Sequence, residues 1–217
     1  MSSEELLGEV AVEVSTCANC KLCKTRTRAV PGEGNPNADI LFIGEGPGYH
    51  EDKQGRPFVG PAGQFLDELL TSINLKRSDV FIANVVKCRP PNNRDPQPDE
   101  ITACNEYLDR QIAAINPKVI VTLGRFSMAK FFGNERITAI HGRARKENGR
   151  ICIAMFHPAA GLHDTSKKDV IRQDFKKIPL IVAEAERMEA EAAATKPEPV
   201  TPKKQQEEPP PQQLSLF

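Results

Sequence analysis

The sequence predicts an α/β fold around a central, mainly parallel sheet of four strands. Short apolar runs alternate with segments of helical period, and each run stops abruptly at a glycine, asparagine or histidine. Residues 1–16 read as a short amphipathic helix, because Leu6, Leu7, Val10 and Val14 fall near helical spacing. Cys17-Ala-Asn-Cys20-Lys-Leu-Cys23 follows, then an irregular loop from Pro31 to Pro36. The first strand is Ala38–Ile43, closed by Gly44-Glu-Gly-Pro-Gly48. Residues 62–74 have helical period, and Val80–Val86 is the second strand, with Asn84 near its end. Asp99–Ile115 is a helix with Pro98 at its start, where the missing N–H costs nothing. Lys118–Leu123, stopped by Gly124, is the third strand, and Arg125–Phe132 is a helix. Arg150–Phe156 is the fourth strand, followed by a helix from about Lys168 to Ala192.

The chain has 217 residues, 39% of them apolar, enough for one domain and a tail but not for two full domains. After about Arg187 the composition turns to Ala and Glu, then to Pro, Lys and Gln, which cannot bury a core. The reading is a domain over 1–187 and a disordered tail over 188–217. Lys+Arg and Asp+Glu are 29 each, so net charge predicts no partner. The tail from Glu189 holds five acids and three bases, leaving 26 bases against 24 acids before it. No apolar run approaches the ~20 residues of a membrane span, and the acidic start Met1-Ser-Ser-Glu-Glu is unlike a signal peptide. A cytoplasmic monomer is expected.

Ligands of parallel sheets bind beyond the carboxyl ends of the strands. Three loops leave those ends, Gly44–Gly48, Asn84–Arg94 and His157–Leu162, and they should converge on one site. Singly each is weak. A glycine-rich loop lets backbone amides approach a flat or anionic ligand, but it is also an ordinary tight turn. The Asn84 amide can pair with a planar imide, and Phe58 offers an aromatic face in the loop Arg56-Pro-Phe-Val-Gly60. One histidine past a strand is more often structural than catalytic. Three such loops at one sheet edge are harder to dismiss.

Six cysteines without a signal peptide argue against a disulfide framework. Cys17-x2-Cys20 can aim two thiolates at one metal, and Cys88 and Cys104 form a second pair, after a strand and inside the next helix. Four thiolates fit either zinc or a [4Fe–4S] cluster, and spacing alone does not choose. Cys23 competes as a ligand, Cys152 reads as a core residue within its apolar strand, and incidental buried or redox thiols are the bland alternative.

Taken together, Gly44-Glu-Gly-Pro-Gly48, Gly55-Arg-Pro-Phe-Val-Gly60, Ala83-Asn-Val-Val-Lys-Cys-Arg-Pro-Pro91 and His157-Pro-Ala-Ala160 resemble the motifs of family-four uracil-DNA glycosylases. These are the iron–sulfur members of the uracil-DNA glycosylase superfamily. The resemblance runs from Cys17 to about Ile178. It implies a three-layer α/β/α fold, removal of uracil from DNA, and a [4Fe–4S] cluster on Cys17, Cys20, Cys88 and Cys104, with Cys23 left out.

The roles it implies are physically coherent. A deoxyuridine must leave the base stack before its glycosidic bond can be reached. Phe58 would stack on the flipped uracil, while Asn84 accepts from N3–H and donates to O4, a polarity that rejects cytosine. Amides of the Gly44, Glu45 and Gly46 turn and the His157 side chain would surround O2, where charge grows as uracil departs. Many superfamily members carry an aspartate where this chain has Gly46, so leaving-group stabilisation should dominate, with Glu45 holding water or the sugar. Glu51 would crowd the C5 position against the methyl of thymine. DNA contacts are expected from Arg89 and Arg94. Relatives place an aliphatic wedge four residues after the histidine; here that is Gly161, so Leu162 takes the role. No basic, histidine-bearing insertion follows the second-strand motif, so turnover is expected rather than covalent trapping.

Gln213-Leu-Ser-Leu-Phe217 is similar to sliding-clamp-binding peptides, with Gln213, Leu214, Leu216 and Phe217 as anchors. A chain of another class, a metal-stapled nucleic-acid-binding module, would share the thiols but leave N-glycosidic bonds intact. A nucleotide hydrolase would need a Walker-type Gly-Lys-Ser/Thr, which is absent.

Overall fold

In the computed structural model, which describes residues 1–194, the four apolar runs become β2 (Ile40–Gly44), β3 (Phe81–Asn84), β4 (Val119–Leu123) and β6 (Arg150–Met155). They lie parallel in the order β3-β2-β4-β6. The sheet has six strands rather than the expected four, because a short antiparallel strand closes each edge: β1 (Glu33–Gly34) beside β3 and β5 (Ala144–Glu147) beside β6. Both lack an apolar run. β1 is two residues long, and β5 is the polar sequence Ala-Arg-Lys-Glu, with exposed side chains of the sort that discourage further edge pairing.

Strand period sorts the core into two layers. Leu41, Ile43, Phe81, Ala83, Ile120, Cys152 and Ala154 pack beneath α1 (Ser3–Thr16), α4 (Pro98–Ile115) and α5 (Arg125–Phe132). Ile40, Phe42, Ile82, Val121, Ile153 and Met155 face the opposite layer, made by α3 (Pro61–Thr71), α8 (Thr165–Phe175) and α9 (Ile178–Ala194). The result is the expected three-layer α/β/α arrangement. Ser2 and Glu5 form a capping box that starts α1, and the Glu13–Arg110 ion pair ties α1 to α4.

Three short helices fall where loops were expected: α2 (Tyr49–Gln54), α6 (Ile137–Ile140) and α7 (Pro158–His163). The long final helix is two. Pro179 cannot donate to the carbonyl four residues back, so the chain breaks between Phe175 and Ile178 and restarts with Pro179 in the first turn of α9. α9 runs on beyond residue 187 to Ala194. Its inner face, Ile178, Ile181, Val182, Ala185 and Met188, packs on the core and carries the Ala/Glu stretch with it. The peptide Gln213–Phe217 lies outside the described residues. Among the described residues no helix is long and apolar enough to cross a membrane.

Candidate active site and thiol cavity

The three loops converge as expected. Beyond the carboxyl ends of the parallel strands is a pocket of about 370 Å³ whose lining includes Glu45, Gly46, Glu51, Phe58, Asn84 and His157. Its size suits one planar heterocycle with its attached sugar.

Asn84 ends β3 with its side chain buried, and Oδ1 has no hydrogen-bond partner. A buried amide oxygen left unpaired costs about 1–3 kcal/mol, so a ligand that supplies an N–H there recovers that cost. Gly44 lies outside the lining but makes room for it. A Cβ at Gly44 would stand 2.4 Å from Asn84 Oδ1 and 2.7 Å from the Phe58 ring.

Phe58 holds a left-handed backbone, φ 53°, and is 5% exposed. A network of charges fixes it. Arg77 donates to the Phe58 carbonyl at 3.0 Å, to the Pro57 carbonyl and to Asp67, while Glu33 binds both Arg77 and Arg56. Gly63 completes the fit, since a Cβ there would strike the Phe58 carbonyl at 1.8 Å. The Phe58 ring stacks against His157, with centroids 5.4 Å apart and planes 24° from parallel.

His157 caps α7. Its Nδ1 accepts from the Ala159 amide at 3.1 Å, which assigns the ring proton to Nε2. Burial pushes its pKa down to about 4, against a smaller opposing pull from Glu51, so the imidazole is neutral at pH 7 and a donor only through Nε2. Gly124, at φ +96°, lets β4 end against the His157 Cβ.

Glu45 faces the pocket. Burial is the main cause that pushes its pKa up to about 7; Asp95 adds to this and Arg125, paired with Asp95, opposes it. Glu51 also lines the pocket, but its carboxylate is engaged: Oε1 accepts from the Val59 and Gly60 amides, both at 2.9 Å, and Oε2 from Gly48 at 3.1 Å. It joins the glycine loop to the Phe58 loop. Gly46 has no space for a side chain, because a Cβ there would lie 2.7 Å from Val86 Cγ2. An aspartate at this position would need Val86 to move.

The residues expected at DNA separate. Leu162 stands exposed on α7, whereas Gly161 is buried with its Cβ direction 3.0 Å from Phe65. The wedge position of the resemblance is thus closed here, and Leu162 is the side chain that projects. Arg89 lies beside the pocket, next to Pro90 in its wall, with Nε on Asn93. Arg94 spends its guanidinium fork on the buried Glu100, at 2.9 and 2.7 Å, and this holds the start of α4.

A second cavity is lined by Cys17, Cys20, Cys23, Cys88 and Cys104. All are free thiols, and among the described residues no three of Cys, His, Asp or Glu converge as one metal ion would require. N–H groups point at the sulfurs: Arg26 Nη1 to Cys88 at 3.1 Å, the Lys87 amide to Cys104 at 3.3 Å and the Asn19 amide to Cys17 at 3.5 Å. Cys152 lies apart, in β6.

Sequence reasoning missed Lys87. Its ammonium is fully buried between the two sites, donating to the Asn84 carbonyl at 2.8 Å and to Gln111 at 2.6 Å. Gln111 in turn donates to the Pro31 carbonyl at 2.6 Å. The only hint in the sequence was a lysine directly after an apolar run, where a snorkelling surface residue is the ordinary reading. Arg77 and Glu33 were equally silent, because they act on the backbone of a loop distant in sequence.

Residues 31–178 match the model of the uracil DNA glycosylase superfamily. The chain is 51% identical over 182 residues to a type-4 uracil-DNA glycosylase of Sulfurisphaera tokodaii, covering 79% of this chain and 83% of that one. It is 47% identical to the type-4 enzyme of Archaeoglobus fulgidus, covering 80% and 92%, and 44% identical to that of Thermotoga maritima, covering 80% and 93%. With most of the chain matched in every case, this protein belongs to the type-4 branch of the uracil-DNA glycosylase superfamily.

Proposed function

We propose that this chain hydrolyses the N-glycosidic bond of deoxyuridine in DNA, releasing uracil and leaving an abasic site. The observation that carries the reading is the buried, unpartnered Oδ1 of Asn84 facing a pocket walled by Phe58 and a neutral His157. Uracil offers what that amide lacks, an N3–H donor beside an O4 acceptor, while cytosine offers the reverse. The His157 Nε2–H and the amides of the glycine loop would receive O2, and such fixed donors at growing charge are worth a few kcal/mol each.

Glu45 would hold the attacking water at C1′ as its carboxylate. Because its pKa is raised to about 7, that form is lost as pH falls. We expect excision in single-turnover assays to rise with pH through about 7 and then level. Glu45→Gln should be slower and flat across the same range; an unchanged profile would remove Glu45 from the step.

We further propose a [4Fe–4S] cluster held by Cys17, Cys20, Cys88 and Cys104. These four thiols line one cavity, and four cysteine thiolates are the donor set that such a cluster takes. Backbone and guanidinium N–H groups aimed at the sulfurs suit ligated thiolates, and an anionic cluster would offset the buried Lys87 charge, which no carboxylate pairs with among the described residues. When bound, such a group supplies a cross-link between the chain after α1, the end of β3 and α4. The Gln213–Phe217 peptide would tether the enzyme to a sliding clamp and raise its local concentration on DNA.

The direct test is incubation with single- and double-stranded oligonucleotides carrying one uracil, then alkali cleavage. We expect strand scission at uracil, free uracil in solution and no cut at cytosine or thymine. Binding without scission would favour the non-catalytic module.

A further inference from the structure

Tyr49 is unused by the chemistry above. It is the first residue of α2, and it stays 52% exposed although its neighbours Gly48 and Glu51 line the pocket. With 3.8 Å between consecutive Cα atoms, its backbone stands within about 8 Å of the pocket wall. Two cations attend the ring: the Arg89 guanidinium at 5.2 Å from the centroid and the Lys53 ammonium at 5.8 Å. Neither has a carboxylate partner among the described residues, and Arg89 adjoins Pro90, itself part of the pocket wall. An exposed aromatic at a pocket mouth, flanked by cations not neutralised by protein, is poorly explained by packing. It matches what single-stranded nucleic acid offers: a base face for the ring and phosphates for the cations.

We propose that Tyr49, with Arg89 and Lys53, is a stacking platform for an unpaired base next to the extruded uracil, and that it favours single-stranded over duplex substrate. The inference rests on the uracil-excising reading above. In a duplex the neighbouring base stays paired and stacked, so the platform has less to bind.

The test is steady-state kinetics of the full chain on one uracil-containing oligonucleotide, single-stranded and annealed. Tyr49→Ala should raise KM on the single strand roughly five- to a hundredfold, the cost of one lost base–aromatic stack, with the loss carried in KM and a much smaller change on the duplex. Tyr49→Phe and Tyr49→Trp should retain the wild-type KM. Tyr49→Leu, which preserves apolar bulk without a π face, should behave as Ala; a merely structural role would be rescued by Leu. Equal KM for Tyr49→Ala and wild type, equal losses on both substrates, or rescue by Leu would each overturn the proposal. A wild-type protein that leaves uracil in place would instead overturn the excision reading beneath it.

Discussion

Asn84→Ala is expected to lower kcat/KM for uracil excision by roughly a thousandfold or more, with little change in stability. The estimate follows from the partners involved. A site built to pair with a polar substrate discriminates by factors of about 10⁴ when its groups are left unmatched, and here the protein loses both the acceptor for N3–H and the donor for O4. Stability should hold because Oδ1 has no intramolecular bond to lose. The substitution even removes a buried polar atom whose burial goes uncompensated in the free enzyme. Asn84→Asp is the sharper probe. It keeps the acceptor and loses the donor, and its ionised form would repel the electron-rich O4, so it should fall nearly as far as Ala. Single-turnover rates with thermal unfolding curves check both points. An Asn84→Ala enzyme within tenfold of wild type would mean that uracil is held by other groups.

How far the sequence reached depended on whether a feature was local. The four parallel strands and the convergence of their loops were legible, because an apolar run ended by Gly44, Asn84, Gly124 or His157 reports burial and a turn in the same few residues. The edge strands were not, since two residues of β1 and a polar β5 have no hydrophobic signature and pair only because a neighbour's edge is available. The pocket residues were found through their motifs, but their states were not. That Glu51 is bound up by three amides, that Arg94 serves Glu100, or that the Ala159 amide sets the His157 tautomer depends on contacts made by folding. Lys87 is the extreme case. A lysine becomes a buried link between Asn84 and the thiol cavity only once β3 and α4 are side by side.

Cys88→Ser carries the second large effect: loss of bound iron and labile sulfide, and a fall in Tm of roughly 10–15 °C. Cys17 and Cys20 follow α1, while Cys88 lies close after β3, so a group bridging them closes a loop of almost seventy residues. By the chain-entropy reasoning used for other cross-links, removing such a closure costs about 4 kcal/mol, and each kcal/mol is worth about 2–4 °C in a chain of this size. Activity should fall as well, because Asn84 lies only four residues before Cys88 and the Lys87 ammonium holds its carbonyl. The comparison that gives the result meaning is Cys23→Ser. Cys23 lines the same cavity, so a purely spatial effect would touch both variants alike, whereas the proposed ligand set expects Cys23→Ser to keep its iron and its Tm. Iron retained by Cys88→Ser, or lost from Cys23→Ser, would reassign the ligands. A wild-type protein purified anaerobically without iron would show instead that the five thiols serve another purpose.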